Sequence, residues 1–121
     1  MREKAASRVG KFTRIRAKVA PVLEKEVERK LKDPIKQMGG LCLKFVCPGF
    51  TGVPDRIILL PGGRLVFVET KQKGKKERPR QTYVHNLLRR LGFTVYSTVD
   101  SPVKVAAVVE DCRRLVYGKD V

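Results

Sequence analysis

The chain predicts an α/β domain, a mixed sheet of about four strands flanked by helices in the order α-β-β-β-α-β-α. Three observations predict it. Two short apolar runs, Ile57 to Leu60 and Leu65 to Val68, flank Pro61-Gly62-Gly63, which is the pattern of a β-hairpin. Segments on either side of this hairpin carry apolar residues every three or four positions, as amphipathic helices do. A further run, Phe93 to Thr98, follows the hairpin through a helix, which suggests a parallel crossover. With 121 residues the chain suffices for one core and not for two.

From the beginning, residues 1–20 carry Arg2, Lys4, Arg8, Lys11, Arg14, Arg16 and Lys18 against Glu3 alone. Val9, Phe12, Ile15 and Val19 recur there at helical intervals, so this part reads either as a basic arm that orders on nucleic acid or as an extra helix. Residues 21–121 form the domain proper. Val22 to Met38 reads as a helix with Leu23, Val27, Leu31 and Ile35 as its stripe. Glu24 and Glu28 border the stripe one turn apart, and Glu26 points to solvent. Pro34 is expected to kink this helix or to start a new one capped by Asp33, and Gly39-Gly40 ends it. Leu41 to Cys47 is a first strand, and Pro48 to Gly52 is a loop that delivers the chain to the hairpin.

Beyond the hairpin, 73–80 is a charge run, KGKKERPR. Pro79 suits the first turn of a helix reaching about Leu91, with Val84, Leu87, Leu88 and Leu91 facing the core and Gly92 as its stop. After the strand Phe93 to Thr98, Ser101-Pro102 caps a final helix with Val105, Val108, Val109, Cys112, Leu115 and Val116 at helical spacing.

Composition narrows the function. A net charge of +15, from 27 basic and 12 acidic residues, must produce a positive face on so small a domain. Such a field attracts polyanions, DNA or RNA first and acidic membranes or proteins second. No apolar run is long enough to span a membrane, and no secretory signal is visible. Cys42, Cys47 and Cys112 are odd in number and lack zinc-site spacing, so free thiols in a reducing cytoplasm are expected. No Walker-type loop is present, so no nucleotide cofactor is expected, and a single His excludes most His-dependent mechanisms.

The hairpin also concentrates chemistry. Asp55 opens its first strand, and Glu69 and Lys71 close its second. An antiparallel pairing brings these ends together, with Glu69 and Lys71 on the face of Leu65 and Phe67, which is expected to be buried. Two carboxylates and an ammonium there are costly unless paired or bound to a metal.

Pro54-Asp55 followed by Glu69-Thr70-Lys71 resembles the motif of the PD-(D/E)XK nucleases. The fuller set Gly52-Val53-Pro54-Asp55-Arg56, Glu69-Thr70-Lys71 and Gln81, with Gly39 to Phe45 upstream, resembles the small stand-alone phage members of the VRR-NUC family. The resemblance spans about Val22 to Asp100. It implies a PD-(D/E)XK core and a metal-dependent endonuclease acting on branched DNA, Holliday junctions or flaps, in a bacterial or phage-infected cell. It implies Mg²⁺ or Mn²⁺ held by Asp55, Glu69, the Thr70 backbone carbonyl and an acid of the first helix, with Glu28 as the choice and Glu24 as the alternative. Whether one or two metals bind stays open. Lys71 would orient water and balance charge, and Gln81 would orient water or phosphate. His85 lies within reach without being assigned as a base. Lys73, Lys75, Lys76, Arg78 and Arg80, with Arg14 and Arg16, would grip the DNA backbone. A homodimer would suit a four-way junction. The competing reading is a non-catalytic basic DNA- or RNA-binding module, which explains the charge but not the convergence of Asp55, Glu69 and Lys71.

Overall fold

The computed structural model describes residues 25–72 and 74–118. The expectations for 1–20, and those for Leu23, Glu24 and Lys73, fall outside these residues. Helix α1 occupies 25–37 and is followed by β1 (Leu41–Lys44), β2 (Arg56–Leu60), β3 (Arg64–Thr70), α2 (Pro79–Arg90), β4 (Thr94–Val99) and α3 (Pro102–Tyr117). The sheet order is β1-β2-β3-β4, with β4 parallel to β3 and the other pairs antiparallel. This is the mixed four-stranded α/β fold anticipated. No helix among the described residues is long and apolar enough to cross a membrane.

Pro34 does not restart α1, and Asp33 caps no new helix there. The helix runs through it to 37, and Met38 still donates to the Pro34 carbonyl at 3.2 Å. The proline removes its own backbone donor and crowds the preceding turn, but Leu31 and Ile35 on either side are fully buried and keep the helix seated on the sheet. The turn Pro61-Gly62-Gly63 joins β2 to β3 with Gly62 and Gly63 at positive φ, where a side chain would be strained. Ser101 caps α3 by accepting from the Lys104 backbone N–H at 3.3 Å.

The two sheet faces are used unequally. Cys42, Ile58, Leu60, Val66 and Val68 pack beneath Leu31, Ile35 and Met38 of α1 and Val105, Val108, Val109 and Cys112 of α3. This is the main core, and it lies on the even-numbered face of β3. On the other face Phe67 is buried, between the rings of Phe45 and Phe93 at centroid distances of 5.6 Å, but Leu65 is only half-buried. Farther out, Leu41 and Leu43 are 55% and 43% exposed, beside half-buried Ile57 and Leu59. Helix α2 contributes Val84 and His85 to the interior, and Leu91, expected in the core, is 65% exposed. Of the other predicted core positions Val84 is fully buried and Leu87 and Leu88 are half-buried, while Leu91 falls at the C-cap beyond the helix end. Cys42 and Cys112 are buried thiols and Cys47 is half-buried, all three free. Burial pushes the Cys112 thiol up to about 12.

Between β3 and β4 the ladder is irregular. Val68 faces Tyr96, but Thr70 faces Val99, so β4 carries one extra residue opposite Glu69. Thr98 absorbs it at φ +56°, rare for a β-branched residue. Beyond the bulge the pairing resumes, with Lys71 N–H donating to the Val99 carbonyl at 3.0 Å.

Candidate active site

The hairpin register sets Arg56 opposite Val68, which leaves Asp55 opposite Glu69 where the strands end. The two residues are cross-linked. Asp55 N–H donates to Glu69 Oε1 at 3.1 Å, Thr70 N–H donates to Asp55 Oδ1 at 2.9 Å, and the Thr70 hydroxyl donates to Asp55 Oδ2. Phe45 N–H binds the Asp55 carbonyl at 2.8 Å and ties the end of the first strand to the same point. The position of Asp55 is thus fixed through its backbone and both carboxylate oxygens.

Gln81 extends this network from the first turn of α2. Its Oε1 accepts from Lys71 Nζ at 2.7 Å and from the Arg78 backbone at 3.1 Å, and its Nε2 donates to Glu69 Oε2 at 3.1 Å. Lys71 Nζ also lies 3.3 Å from Glu69 Oε2. Four of the sequence-predicted residues, Asp55, Glu69, Lys71 and Gln81, therefore form one connected set. Glu69 is 5% exposed, and burial, then the Asp55 carboxylate, raise its pKa against the opposing pull of Lys71.

Carboxylate oxygens from two residues at one strand end fit a hard divalent cation. No group of three or more His, Cys, Asp or Glu side chains among the described residues is arranged to hold a metal, so Asp55 and Glu69 would leave further positions to backbone, water or phosphate. Thr70 was expected to contribute its carbonyl; its N–H and hydroxyl, which clamp Asp55, were not anticipated.

Glu28 is not brought into this set. Its carboxylate pairs with Arg56 Nη2 at 3.3 Å and Lys32 Nζ at 3.6 Å, and it lines a larger groove with Cys42 and Leu43. That groove carries no comparable catalytic set. Asp55, Thr70 and Lys71 instead line a cleft of about 410 Å³ whose α1 wall contains Glu26, Val27 and Lys30. Glu26, read from the sequence as pointing to solvent, is exposed and lines both this cleft and the larger groove. Asp100, at the end of β4, lines the cleft too and pairs with Lys104 at 3.2 Å. The parallel crossover was the signal that could have found it, because carboxyl ends of neighbouring parallel strands share a crevice.

Of the basic residues, Lys75, Lys76, Arg78 and Arg80 are exposed, and Lys75 lines the cleft. Lys73, Arg14 and Arg16 lie outside the described residues. His85 is fully buried, its Nδ1 set between the Glu77 carboxylate and Ser97 Oγ, the latter at 2.9 Å. Arg89 donates to the same Ser97 hydroxyl at 2.8 Å. Burial lowers the His85 pKa against the opposing effect of Glu77, and through Glu77 and Ser97 the ring pins the basic loop to α2 and β4.

No protein-family model matches the chain. A solved structure described as a VRR_NUC domain is similar to it, with a TM-score of 0.64 and 32% identity, covering 72% of this chain and 94% of the other. "Putative nuclease p44" of Acyrthosiphon pisum secondary endosymbiont phage 1 is 42% identical over 74 residues, which cover 61% of this chain and 80% of that protein.

Proposed function

The chain belongs to the VRR-NUC nuclease family, and from that premise we propose that it is a metal-dependent endonuclease that hydrolyses phosphodiester bonds in branched DNA. The observation that carries this reading is the single network joining Asp55, Glu69, Lys71 and Gln81 beside a cleft. Ordinary structural ion pairs do not need two carboxylates within one hydrogen-bond network at a strand end.

Asp55 and Glu69 would hold Mg²⁺ or Mn²⁺, with the Thr70 carbonyl as a further oxygen donor. When bound, such an ion stabilises charge on phosphoryl oxygens and acidifies its water. The chain's own residues do the positioning. Thr70 fixes both oxygens of Asp55. Gln81 orients Lys71 by accepting one of its three N–H bonds, and Glu69 accepts a second. The third is left for water or phosphate, so the ammonium sits where negative charge develops. Lys75 in the cleft wall, with exposed Lys76 and Arg78 of the same segment, supplies contacts to the DNA backbone, which position a strand without reading its sequence.

The test is incubation of labelled junction, flap and plain duplex with Mg²⁺, Mn²⁺ or EDTA, beside Asp55→Ala and Lys71→Ala. Metal-dependent cleavage lost in both variants, with binding retained, is expected. Binding without cleavage in any metal would establish the basic binding module instead. A two-fold dimer belongs to the same proposal, and the open sheet face of Leu41, Leu43, Ile57 and Leu59 supports it as the apolar contact. Sedimentation at working concentration decides between monomer and dimer.

A further inference from the structure

We propose that Phe50, Arg80 and Tyr83 form a stacking platform for an unpaired nucleobase of the DNA, an inference that rests on the nuclease reading above. The Arg80 guanidinium lies 4.7 Å from the Phe50 ring centroid and 5.4 Å from that of Tyr83. Its Nε donates to the Thr51 carbonyl at 3.0 Å, which fixes the plane of the group. No hydrogen bond among the described residues engages its Nη groups. Two aromatic rings are thereby gathered around one immobilised guanidinium, and neither is withdrawn into the core. Phe50 is 40% and Tyr83 54% exposed.

A purely structural clamp explains this cluster incompletely. The loop is already locked to α2 by Gly52, which approaches Arg80 and Val84 so closely that a side chain would not fit. Tyr83 adds nothing to that lock, yet it places an aromatic ring beside the cation on the solvent side. Exposed aromatic and guanidinium planes are what single-stranded and branched nucleic acids stack upon. A continuous duplex keeps its base faces stacked inside, whereas a flap or a branch point presents one. The platform therefore supplies selectivity for structure without reading base edges.

Its distance from the chemistry is bounded by the chain. Thr51 and Asp55 are four residues apart, an extended reach of at most about 14 Å. At about 3.4 Å per stacked nucleotide, that backbone reach corresponds to about four nucleotides, which sets the scale for the separation of the captured base from the phosphate beside Asp55. Arg80 is also the immediate neighbour of Gln81, so the platform forms the α2 side of the site.

The test uses the full chain in EDTA with a flap substrate carrying 2-aminopurine at successive unpaired positions, and plain duplex as control. Wild type and Phe50→Trp should quench the probe most strongly at one position within four nucleotides of the mapped cut. Phe50→Leu and Tyr83→Leu keep apolar bulk and remove the ring. They should lose that quench and weaken flap binding about fivefold or more, the lower end of what one stacked base contributes. Duplex affinity should stay within about twofold, because the phosphate contacts persist. If Phe50→Leu weakens duplex and flap alike, the loop has moved, and Tyr83→Leu on the helix surface decides. Unchanged quenching and flap affinity in Tyr83→Leu would overturn the platform. Cleavage by wild type without quenching sinks the platform alone; quenching without metal-dependent cleavage sinks the nuclease reading alone.

Discussion

Gly52→Ala tests whether the loop before Asp55 is fixed by its contact with α2. Gly52 has φ +93°, and a Cβ there would lie 2.9 Å from Arg80 Cγ, 2.9 Å from Val84 Cγ2 and 3.0 Å from the Arg80 carbonyl oxygen. Arg80 Cγ can move aside, but the carbonyl belongs to the helix backbone and Val84 is fully buried. The left-handed backbone costs an alanine about 1–2 kcal/mol, and the forced contact adds about 1–3 kcal/mol. The sum, about 2–5 kcal/mol, is a large share of the roughly 5–15 kcal/mol that keeps a domain folded. At about 4 °C per kcal/mol, the melting temperature should fall by about 8–20 °C. If the loop lifts off α2 to avoid this, Asp55 shifts with it, and a displacement near 1 Å costs about a hundredfold in rate. Gly49→Ala is the control: a Cβ there meets nothing within 4 Å, and the change should stay within about 0.5 kcal/mol. Thermal melts by circular dichroism and cleavage rates at 25 °C read both quantities. A Gly52→Ala protein that melts and cuts like Gly49→Ala would refute the reasoning.

Three further outcomes are expected. Glu26→Gln should lower cleavage more than tenfold, because Glu26 faces the cleft, whereas Glu28→Gln should cut within about threefold of wild type while melting lower, since it leaves half-buried Arg56 without its partner; the reverse order would restore Glu28 as the helix-borne ligand. Thr98→Asn should raise stability by about 0.5–1 kcal/mol, because asparagine tolerates the left-handed region that a β-branched residue resists; a lower melting temperature would show that the threonine side chain makes a compensating contact. Burial lowers the His85 pKa in the folded chain, although Glu77 opposes this and Arg89 and Lys71 reinforce it. The unfolded state therefore binds more protons below about pH 6.5, and stability should fall with pH from there at up to about 1.4 kcal/mol per unit. Glu69, raised in the fold, acts in the opposite sense above the ordinary carboxylate range, so the difference between wild type and His85→Gln isolates the histidine. Parallel stability curves for the two proteins would show that His85 does not titrate in this way.

What the sequence made legible depends on short-range order. In a hairpin the turn sets the register, and the register sets which ends meet, so Pro61-Gly62-Gly63 was enough to place Asp55 beside Glu69 and Lys71. Gln81 followed because Pro79 marks where α2 begins. Helix phase was less secure. Successive residues turn by about 100°, so Glu26 and Glu28 point apart, and which acid of α1 borders the cleft required knowing how the helix seats on the sheet. In α2 Leu91 fell beyond the helix end and His85 entered the interior: the partner that makes a buried histidine tolerable, Glu77, lies in a charge run that otherwise reads as solvated. The bulge at Thr98 left no trace in composition, since one extra residue in a strand changes nothing that periodicity measures.

That bulge nevertheless bears on the site. It occurs on β4 opposite Glu69, and beyond it Lys71 takes up its bond to Val99. Without the extra residue, Thr70 would pair one position earlier on β4, and the alternation of side chains along that strand would be reversed against β3. Ser97, which anchors His85, and Asp100, which lines the cleft, lie on opposite sides of Thr98. Tyr96 and Val99 both meet the core under α1 and α3 although they are three residues apart, which regular alternation would not allow. The strained Thr98 is thus the backbone adjustment that turns Val99 back to the core after Ser97 has braced the basic loop through His85. Lys104 donates to its carbonyl at 3.2 Å and holds the adjustment in place from α3. Such strain next to a reactive site persists only where the surrounding structure over-determines it.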